Sequence, residues 1–391
     1  MTMKILVVCQ HYDPEPFRIG DICRALQAKG HSVTVVTGQP NYPEGQIYPG
    51  YEKKNRRHEV LDGVQVHRCF TLPRKSGVLH RFLNYYSFLF SSCRFVKKLP
   101  GDYDVVLVNQ LSPVMMAQAG ILYGRKHKKK VVMYCLDLWP ESLIAGGIGR
   151  GSVIYKYFHR VSRKIYTRMD KILVTSREFV GYLKDQFAIS EERIQYLPQY
   201  AEDLFGNLPE ATEKEGLHLT FAGNIGEVQS VETILQAAKL LAQQPITFHI
   251  VGGGSDLERL QKLAKDWALS KVIFHGRRPV AEMPAFYAQA DGLLVTLKAD
   301  PVLSLTLPGK VQACMAAGKP ILGAVDGETA RVIQEAGCGF CGRAEDAQQL
   351  VQNILRFMEA DKVQMGQNAR NYYETQFDKQ RFIETLEREL R

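Results

Sequence analysis

Residues 4–9, KILVVC, form a short apolar run that ends at a Pro-rich loop, QHYDPEPFRIG. A stretch with helical spacing follows, DICRALQAKG, closed by Gly30, and then a second apolar run, HSVTVVTG. Strand, helix and strand at this spacing predict parallel β-sheet. The pattern returns at 64–70 (VQVHRCF), 104–110 (DVVLVNQ), 130–137 (KVVMYCLD) and 171–176 (KILVTS), with helical segments between. Residues 1–200 therefore predict one doubly wound, Rossmann-like α/β domain.

Around 197–216 the periodicity fades and Pro, Gly and charge accumulate, so 201–216 reads as a linker. The pattern then restarts with LHLTFAGN, ITFHIVGGG, KVIFHGR, GLLVTL and PILGAV, each followed by a helical segment. Residues 217–377 thus predict a second Rossmann-like domain. A charged amphipathic helix, 378–391, is expected to pack back on the first. Two such sheets are expected to face each other across a cleft at the carboxyl ends of their strands, where ligands bind.

A chain of 391 residues exceeds what one compact core serves, in keeping with two domains. The eight cysteines are scattered, mostly in apolar runs, and read as reduced thiols of a cytoplasmic protein. Cys338 and Cys341 have metal-like spacing, but no second pair follows and no metal site is expected. The start, MTMKILVVCQ, runs straight into a strand, so no signal peptide is expected. No stretch reaches the roughly 20 apolar residues of a spanning helix. Charge is uneven: residues 1–200 hold 30 Lys+Arg against 16 Asp+Glu, and the remainder 20 against 25. A basic half suggests an anionic partner, nucleic acid or anionic lipid.

Three loops in the second half suit an anion. FAGNIGE (221–227) ends a strand with Gly223 and Asn224, and a helix starts near Val231. VGGGSDLERL (251–260) repeats that context with Gly252 and Gly253, although Ser255 or Asp256 could simply cap its helix. In LSLTLPGKVQACMAAGKP (303–320) a helix begins near Lys310, so free N–H groups point out of the loop beside an ammonium suited to a diphosphate.

The order of AGN, IVGGGSDLERL, FHGRRPVAEMPAFYAQADGLLV, LPGKVQACMAAGKPIL and DGETARVI resembles the nucleotide-sugar-binding half of family 4 glycosyltransferases. QHYDPEP, GHSVTVVTGQPNYPEG and DLWPESL in the first half resemble the bacterial surface-polysaccharide branch, which includes N-acetyl-L-fucosaminyl transferases of O-antigen and capsule assembly. The resemblance covers nearly the whole chain. It implies the two-domain GT-B fold and a retaining, metal-independent transfer from a nucleotide diphosphate sugar, UDP-linked and with an N-acetylated amino sugar as a candidate, to a lipid-diphosphate-linked saccharide. Many family members carry two glutamates eight positions apart, where this chain has Ser304 and Gln312; the polysaccharide branch often reads Pro-Ser-Lys-x-Gln, so Gln312 fits it while Gly309 departs from its serine. A non-catalytic nucleotide-sugar binder or an epimerase-like enzyme on the same fold is the alternative.

The resemblance places stabilisation of the departing diphosphate on the Gly223–Asn224 loop, on Lys310 and on the N–H groups around Thr306 and Leu307. Gln312 would bond ribose or sugar hydroxyls. Arg277 and Arg278 resemble a loop at the edge of the base, though either could be a plain surface charge. Glu328 is the candidate carboxylate near the donor, or else a charge favoured by a helix N-terminus. In a front-face mechanism the leaving phosphate takes the acceptor proton, so no dedicated base is needed. On the acceptor side stand Asp137, chosen for catalytic assistance, with Glu141, His11 and Arg18.

VLHRFLNYYSFLFSSCRFVKK (78–98) is rich in aromatic residues and basic at both ends. It reads either as an interfacial helix on anionic lipid or as a core helix pair. With the basic runs 53–57 and 125–130 it suggests a peripheral position on the inner face of the cytoplasmic membrane. No stacking motif or groove-reading helix points to nucleic acid.

Overall fold

The computed structural model describes residues 2–52, 55–74, 77–144 and 147–391. The chain divides into two compact units: unit 1 holds Met1–Leu197 with Ile383–Arg391, and unit 2 holds Pro198–Phe382. Unit 1 contains β1 (Lys4–Val8), α1 (Ile19–Ala28), β2 (Ser32–Thr37), β3 (His58–Leu61), β4 (Val64–Arg68), α2 (Val78–Val96), β5 (Val105–Gln110) and α3 (Gln118–His127). It continues with β6 (Lys130–Cys135), α4 (Val153–Tyr166), β7 (Lys171–Val174), α5 (Glu178–Phe187) and β8 (Ile194–Tyr196). Unit 2 contains β9 (Leu217–Ala222), α6 (Glu232–Leu240), β10 (Ile246–Val251), α7 (Leu257–Asp266), β11 (Val272–Gly276), α8 (Met283–Gln289) and β12 (Gly292–Thr296). Then come α9 (Gly309–Ala316), β13 (Ile321–Ala324), α10 (Gly327–Ala336), β14 (Gly339–Gly342), α11 (Ala347–Met358), α12 (Lys362–Gln376) and α13 (Lys379–Leu390).

Among the described residues the first sheet has the order β3-β4-β2-β1-β5-β6-β7-β8. Every pairing is parallel except β3 with β4. Ile5 lies between Val33 and Val105, and β1 is buried from Ile5 to Val8 because helices cover both faces. The second sheet has the order β11-β10-β9-β12-β13-β14, all parallel. That order reverses direction between β9 and β12, the point where such sheets hold ligands at their carboxyl edge. Its core is built from Phe221, Ile234, Phe248 and Ile250 on one side and Val295, Val311, Met315 and Val332 on the other.

Three strands escape the apolar-run reading. β3 alternates exposed and half-buried positions at a sheet edge. β8 has only three residues. β14 is GFCG, inside the Cys338–Cys341 spacing, where a Cβ on Gly339 would fall 1.8 Å from the Ile321 carbonyl oxygen. The two cysteines belong to the sheet edge: Cys338 donates to the Ile333 carbonyl, and burial pushes the Cys341 thiol up to about 12.

The stretch 201–216, read as a linker, is folded into unit 2 at its start. Phe205 is buried with its ring 4.9 Å from that of Tyr287, and the Ala201 amide donates to Tyr373 Oη. The loss of periodicity marks irregular backbone there, not freedom from the core. Likewise unit 2 extends to Phe382, and α13 belongs to unit 1 from Ile383 onward.

Ile383, Leu386 and Leu390 give α13 its buried face. Glu387 anchors it by pairing with Arg391, Lys29 and His31, which holds its carboxyl down at about 2, Arg391 contributing most. Because that pKa lies below the ordinary 4.5, the stabilisation is complete above about pH 4.5 and lost as pH falls toward 2. Glu387→Gln should therefore lower Tm at pH 7, and the gap to wild type should close on acidification to pH 2–3.

Candidate active site

Unit 2 gathers its glycine loops at the carboxyl edge by backbone bonds between them. The Gly223 amide donates to the Val251 carbonyl, Ile225 to Gly253 and Gly252 to Gly276, each at 2.9 Å, and Asp256 donates to Ile225 at 3.0 Å. Such approach excludes side chains: a Cβ on Gly252 would lie 1.8 Å from the Gly223 carbonyl oxygen, and one on Gly254 2.2 Å from that of Ile225. Gly223 and Gly252 also both adopt a φ of +147°. The loops after β9, β10 and β11 are thus one layer of backbone.

Lys310 reaches that layer from α9. Its Nζ donates to Gln229 Oε1 at 2.6 Å, lies 4.2 Å from the centre of the Phe221 ring, and approaches within 3.4 Å of a Cβ position on Gly223. Burial pushes the ammonium down to about 8. No carboxylate pairs with it among the described residues. α9 opens after Pro308; the Val311 amide turns back to the Pro308 carbonyl, whereas those of Gly309 and Lys310 precede the helical ladder. Gly223 and Lys310 are therefore brought together, with Gly252 beside Gly223 and Gly253 against Arg277. Asn224, Arg277 and Arg278 are exposed on the loops, and Arg278 donates to the His275 carbonyl.

The remaining unit 2 candidates sit differently. The Thr306 amide and hydroxyl both donate to the Leu303 carbonyl, so this amide is already used; Leu307 next to it is buried. Gln312 is 1 % exposed and its Oε1 has no protein partner, an acceptor left open in a buried place. Glu328 is fully buried and paired with Arg331 one helical turn on. It is not an open carboxylate. It adjoins the 303–308 loop, since Gly327 packs on the Ser304 carbonyl and Thr329 donates to that of Thr306.

In unit 1 the candidates lie in loops at the carboxyl edges of β1 and β6. His11, 3 % exposed, is bonded at 3.0 Å to Glu15, which also accepts the amides of Asn41 and Tyr42. The ring stacks on Phe17, so His11 braces the loop and offers no open face as an acceptor contact. Arg18 is half-buried before α1, within electrostatic range of Tyr134 in β6. Asp137 accepts from Ser142 Oγ at 2.7 Å and from Ser112 Oγ, which itself accepts from Trp139 Nε1. Burial raises the Asp137 pKa above the usual carboxylate range despite these bonds. Glu141, 2 % exposed, accepts Tyr155 and Tyr182 hydroxyls on one oxygen and Arg150 on the other. Gln229 and Ser112 lie outside the quoted motifs, while Phe221 and Ser142 lie inside FAGNIGE and DLWPESL without anything there marking them as partners of Lys310 and Asp137.

α2 resolves the alternatives posed for 78–98 into a helix with two faces. Asn84, Tyr85, Phe88 and Ser92 are buried, whereas Leu79, Leu83 and Phe90 are 69 %, 45 % and 68 % exposed. Arg81, Arg94, Lys97 and Lys98 are exposed. Of the other basic runs, Lys53 and Lys54 lie outside the described residues, Arg57 is bonded to Gln39 and the Arg68 carbonyl, and Lys130 holds the Glu389 carbonyl. Among the described residues no helix is long and apolar enough to cross a membrane.

Residues 17–199 match the glycosyl transferase 4-like domain and residues 216–360 the group 1 glycosyl transferases. The chain is 29% identical to the probable glycosyltransferase WbjE of Pseudomonas aeruginosa, over 76% of this chain and 77% of that one. It is 25% identical to the putative colanic acid biosynthesis glycosyl transferase WcaI of Escherichia coli K12, over the whole of both. Among solved structures it resembles sucrose-phosphate synthase of Thermosynechococcus elongatus (TM-score 0.75, 16% identity, 99% of this chain and 98% of that). It also resembles Anabaena HepE in complex with UDP (TM-score 0.73, 15% identity, 99% of each). Two parallel α/β units with these likenesses define a glycosyltransferase of the GT-B fold. The chain is a glycosyltransferase whose two halves match the glycosyl transferase 4-like domain and the group 1 glycosyl transferases.

Gly252→Ala should destabilise unit 2 by about 2 kcal/mol or more, because a backbone carbonyl cannot move aside. Gly309→Ser meets nothing within 4 Å and should leave stability within about 0.5 kcal/mol of wild type. Chemical denaturation of both variants checks the contrast.

Proposed function

We propose that the protein is a retaining, metal-independent transferase that moves a sugar from a nucleotide diphosphate donor, UDP-linked, to a lipid-diphosphate-linked saccharide in surface-polysaccharide biosynthesis. The observation that carries the reading is Lys310: a cation with no carboxylate partner, held by Gln229 beside the glycine loop at the switch point of the unit 2 sheet. Placing an unneutralised ammonium there costs desolvation, and an arriving diphosphate offsets that cost. As the sugar–phosphate bond breaks, charge grows on the leaving oxygen, and fixed donors around it lower the barrier. Lys310, the Gly309 and Lys310 amides at the start of α9 and Asn224 are the donors assigned to that task; the Gly223 amide is taken by the Val251 carbonyl, and Gly223 contributes the space its missing side chain leaves.

Gln312 with its open buried acceptor is assigned to a donor hydroxyl, and Arg277 and Arg278 to the base side. Glu328, tied to Arg331, orders the 303–308 loop instead of acting on substrate. Asp137, held by the Ser112 and Ser142 hydroxyls, orders the 112–142 loops and is assigned to catalytic assistance on the acceptor side. The leaving phosphate itself receives the acceptor proton. UDP is supported by the sequence resemblance and by the UDP complex of HepE; a polysaccharide role is supported by WcaI, named for colanic acid biosynthesis. The exposed apolar face of α2 with its flanking cations supports a peripheral position on an anionic membrane surface at the cytoplasmic side.

Lys310→Ala should reduce donor turnover at least tenfold with an unchanged unfolding transition; full activity would sink the assigned role. Because Lys310 loses its proton near pH 8, the wild-type Kd for UDP should rise roughly tenfold between pH 7 and pH 9, and that of the Lys310→Ala variant should stay flat. NMR of the product should show the donor's anomeric configuration kept. Changing Leu79, Leu83 and Phe90 together to Ser should weaken flotation with anionic vesicles; unchanged partitioning would refute the membrane assignment.

A further inference from the structure

A cationic pocket lies on unit 1. It has a volume of about 430 Å³ and opens between α4, α5 and the turn at Glu141. Arg150, Lys156, His159 and Arg160 line it, and Glu141 is its one carboxylate. That carboxylate is spent. One oxygen accepts the hydroxyls of Tyr155 at 2.7 Å and Tyr182 at 2.8 Å; the other is held by Arg150 through Nη2 at 3.0 Å and Nε at 3.3 Å. Glu141 thus fixes the Arg150 guanidinium at the rim, where its side chain is 57 % exposed.

Lys156 and Arg160 stand four residues apart on α4, so their like charges share one helix face. Neither has a carboxylate partner among the described residues, and both are exposed. Pocket walls carrying three cations against one buried, saturated carboxylate attract a multiply charged anion. Arginine and lysine in this arrangement match phosphate oxygens.

What borders the pocket narrows the ligand further. On the same helix Val153, Ile154 and Tyr157 are exposed, the first at 83 %. α4 is joined there to α2 by the stacked rings of Phe158 and Phe82, 5.6 Å apart. The apolar side of α2 carries Leu79, Leu83 and Phe90. An anion pocket beside exposed apolar side chains matches an amphiphile, whose charge and hydrocarbon need both.

We propose that this pocket binds the phosphate or diphosphate group of an amphiphilic ligand, with Arg150, Lys156 and Arg160 as its anion contacts and the exposed ends of α4 and α2 beneath the hydrocarbon. It deepens the acceptor and membrane assignment proposed above and rests on it for the choice of a lipid source. The shared chemistry is phosphate recognition, and a soluble phosphate compound is the other source.

The test uses the full chain in three forms: wild type, Lys156→Ala/Arg160→Ala, and Arg163→Ala/Lys164→Ala. The last removes the same charge from the same helix outside the pocket. Calorimetry with inorganic diphosphate is one arm; flotation with phosphatidylcholine vesicles containing phosphatidic acid is the other. The unit 2 loops are identical in all three forms and cancel in the comparison. The expected result is an at least fivefold loss of affinity in both arms for the pocket variant and less than twofold for the control. Loss with diphosphate alone would keep the phosphate site and assign it a soluble ligand. No loss in either arm, or equal loss in the control, would overturn the pocket. Wild type that ignores the vesicles would sink the membrane assignment while the diphosphate arm still decides the pocket.

Discussion

Unit 2 depends on backbone meeting backbone at the carboxyl ends of β9, β10 and β11. The amides of Gly223, Ile225 and Gly252 are each satisfied by the neighbouring loop, and the spacing leaves no room for a Cβ at Gly252 or Gly254. Everything the site offers an anion follows from that layer. The loops keep their glycine positions bare, with Asn224, Arg277 and Arg278 exposed around them; the sheet reverses its strand order beside them; and α9 delivers Lys310 to Gly223. Backbone dipoles fixed in this way need no reorganisation when charge develops.

Charge is handled oppositely in the two units. In unit 2 the key cation has no carboxylate partner among the described residues and is supported by the Gln229 amide oxygen and the Phe221 ring, which leaves its charge for the proposed diphosphate. In unit 1 the key carboxylates are filled: Asp137 by two serine hydroxyls, Glu141 by two tyrosines and Arg150. Such groups hold loops in place. They leave the basic residues of α2 and α4 at the surface, which is where the proposed anionic partner would bind.

Much of the fold was legible because its signal is local. A run such as KILVVC is buried on both faces, and Gly30, with a φ of +89°, stops the helix that its position predicted. The strands that escaped notice lack that signal: β3 is a half-exposed edge, and β14 consists half of glycine. Residue 205 shows the opposite failure, an apolar anchor inside a stretch whose Pro, Gly and charge resembled a tether. At the site, the glycines and Lys310 stood out because backbone approach and anion binding restrict residue type strongly. Gln229 and Ser112 act by partnering a residue 81 and 25 positions away, and Ser142 serves Asp137 through a turn; no periodicity or spacing marks such a partner. Burial was equally silent: His11 and Glu328 look reactive as letters, and only packing shows them committed to Glu15 and Arg331.

The central claim is that the Lys310 and glycine-loop site holds a nucleoside diphosphate without a metal. The most direct measurement is thermal unfolding of the wild-type chain with UDP, GDP, ADP and TDP, each with and without EDTA. A nucleotide present at about 100 times its dissociation constant adds about 2.7 kcal/mol to the folded state, a shift well within reach of the method. The account predicts a rise that is selective for UDP and unchanged by EDTA. No shift with any of the four, or one abolished by EDTA, would contradict it.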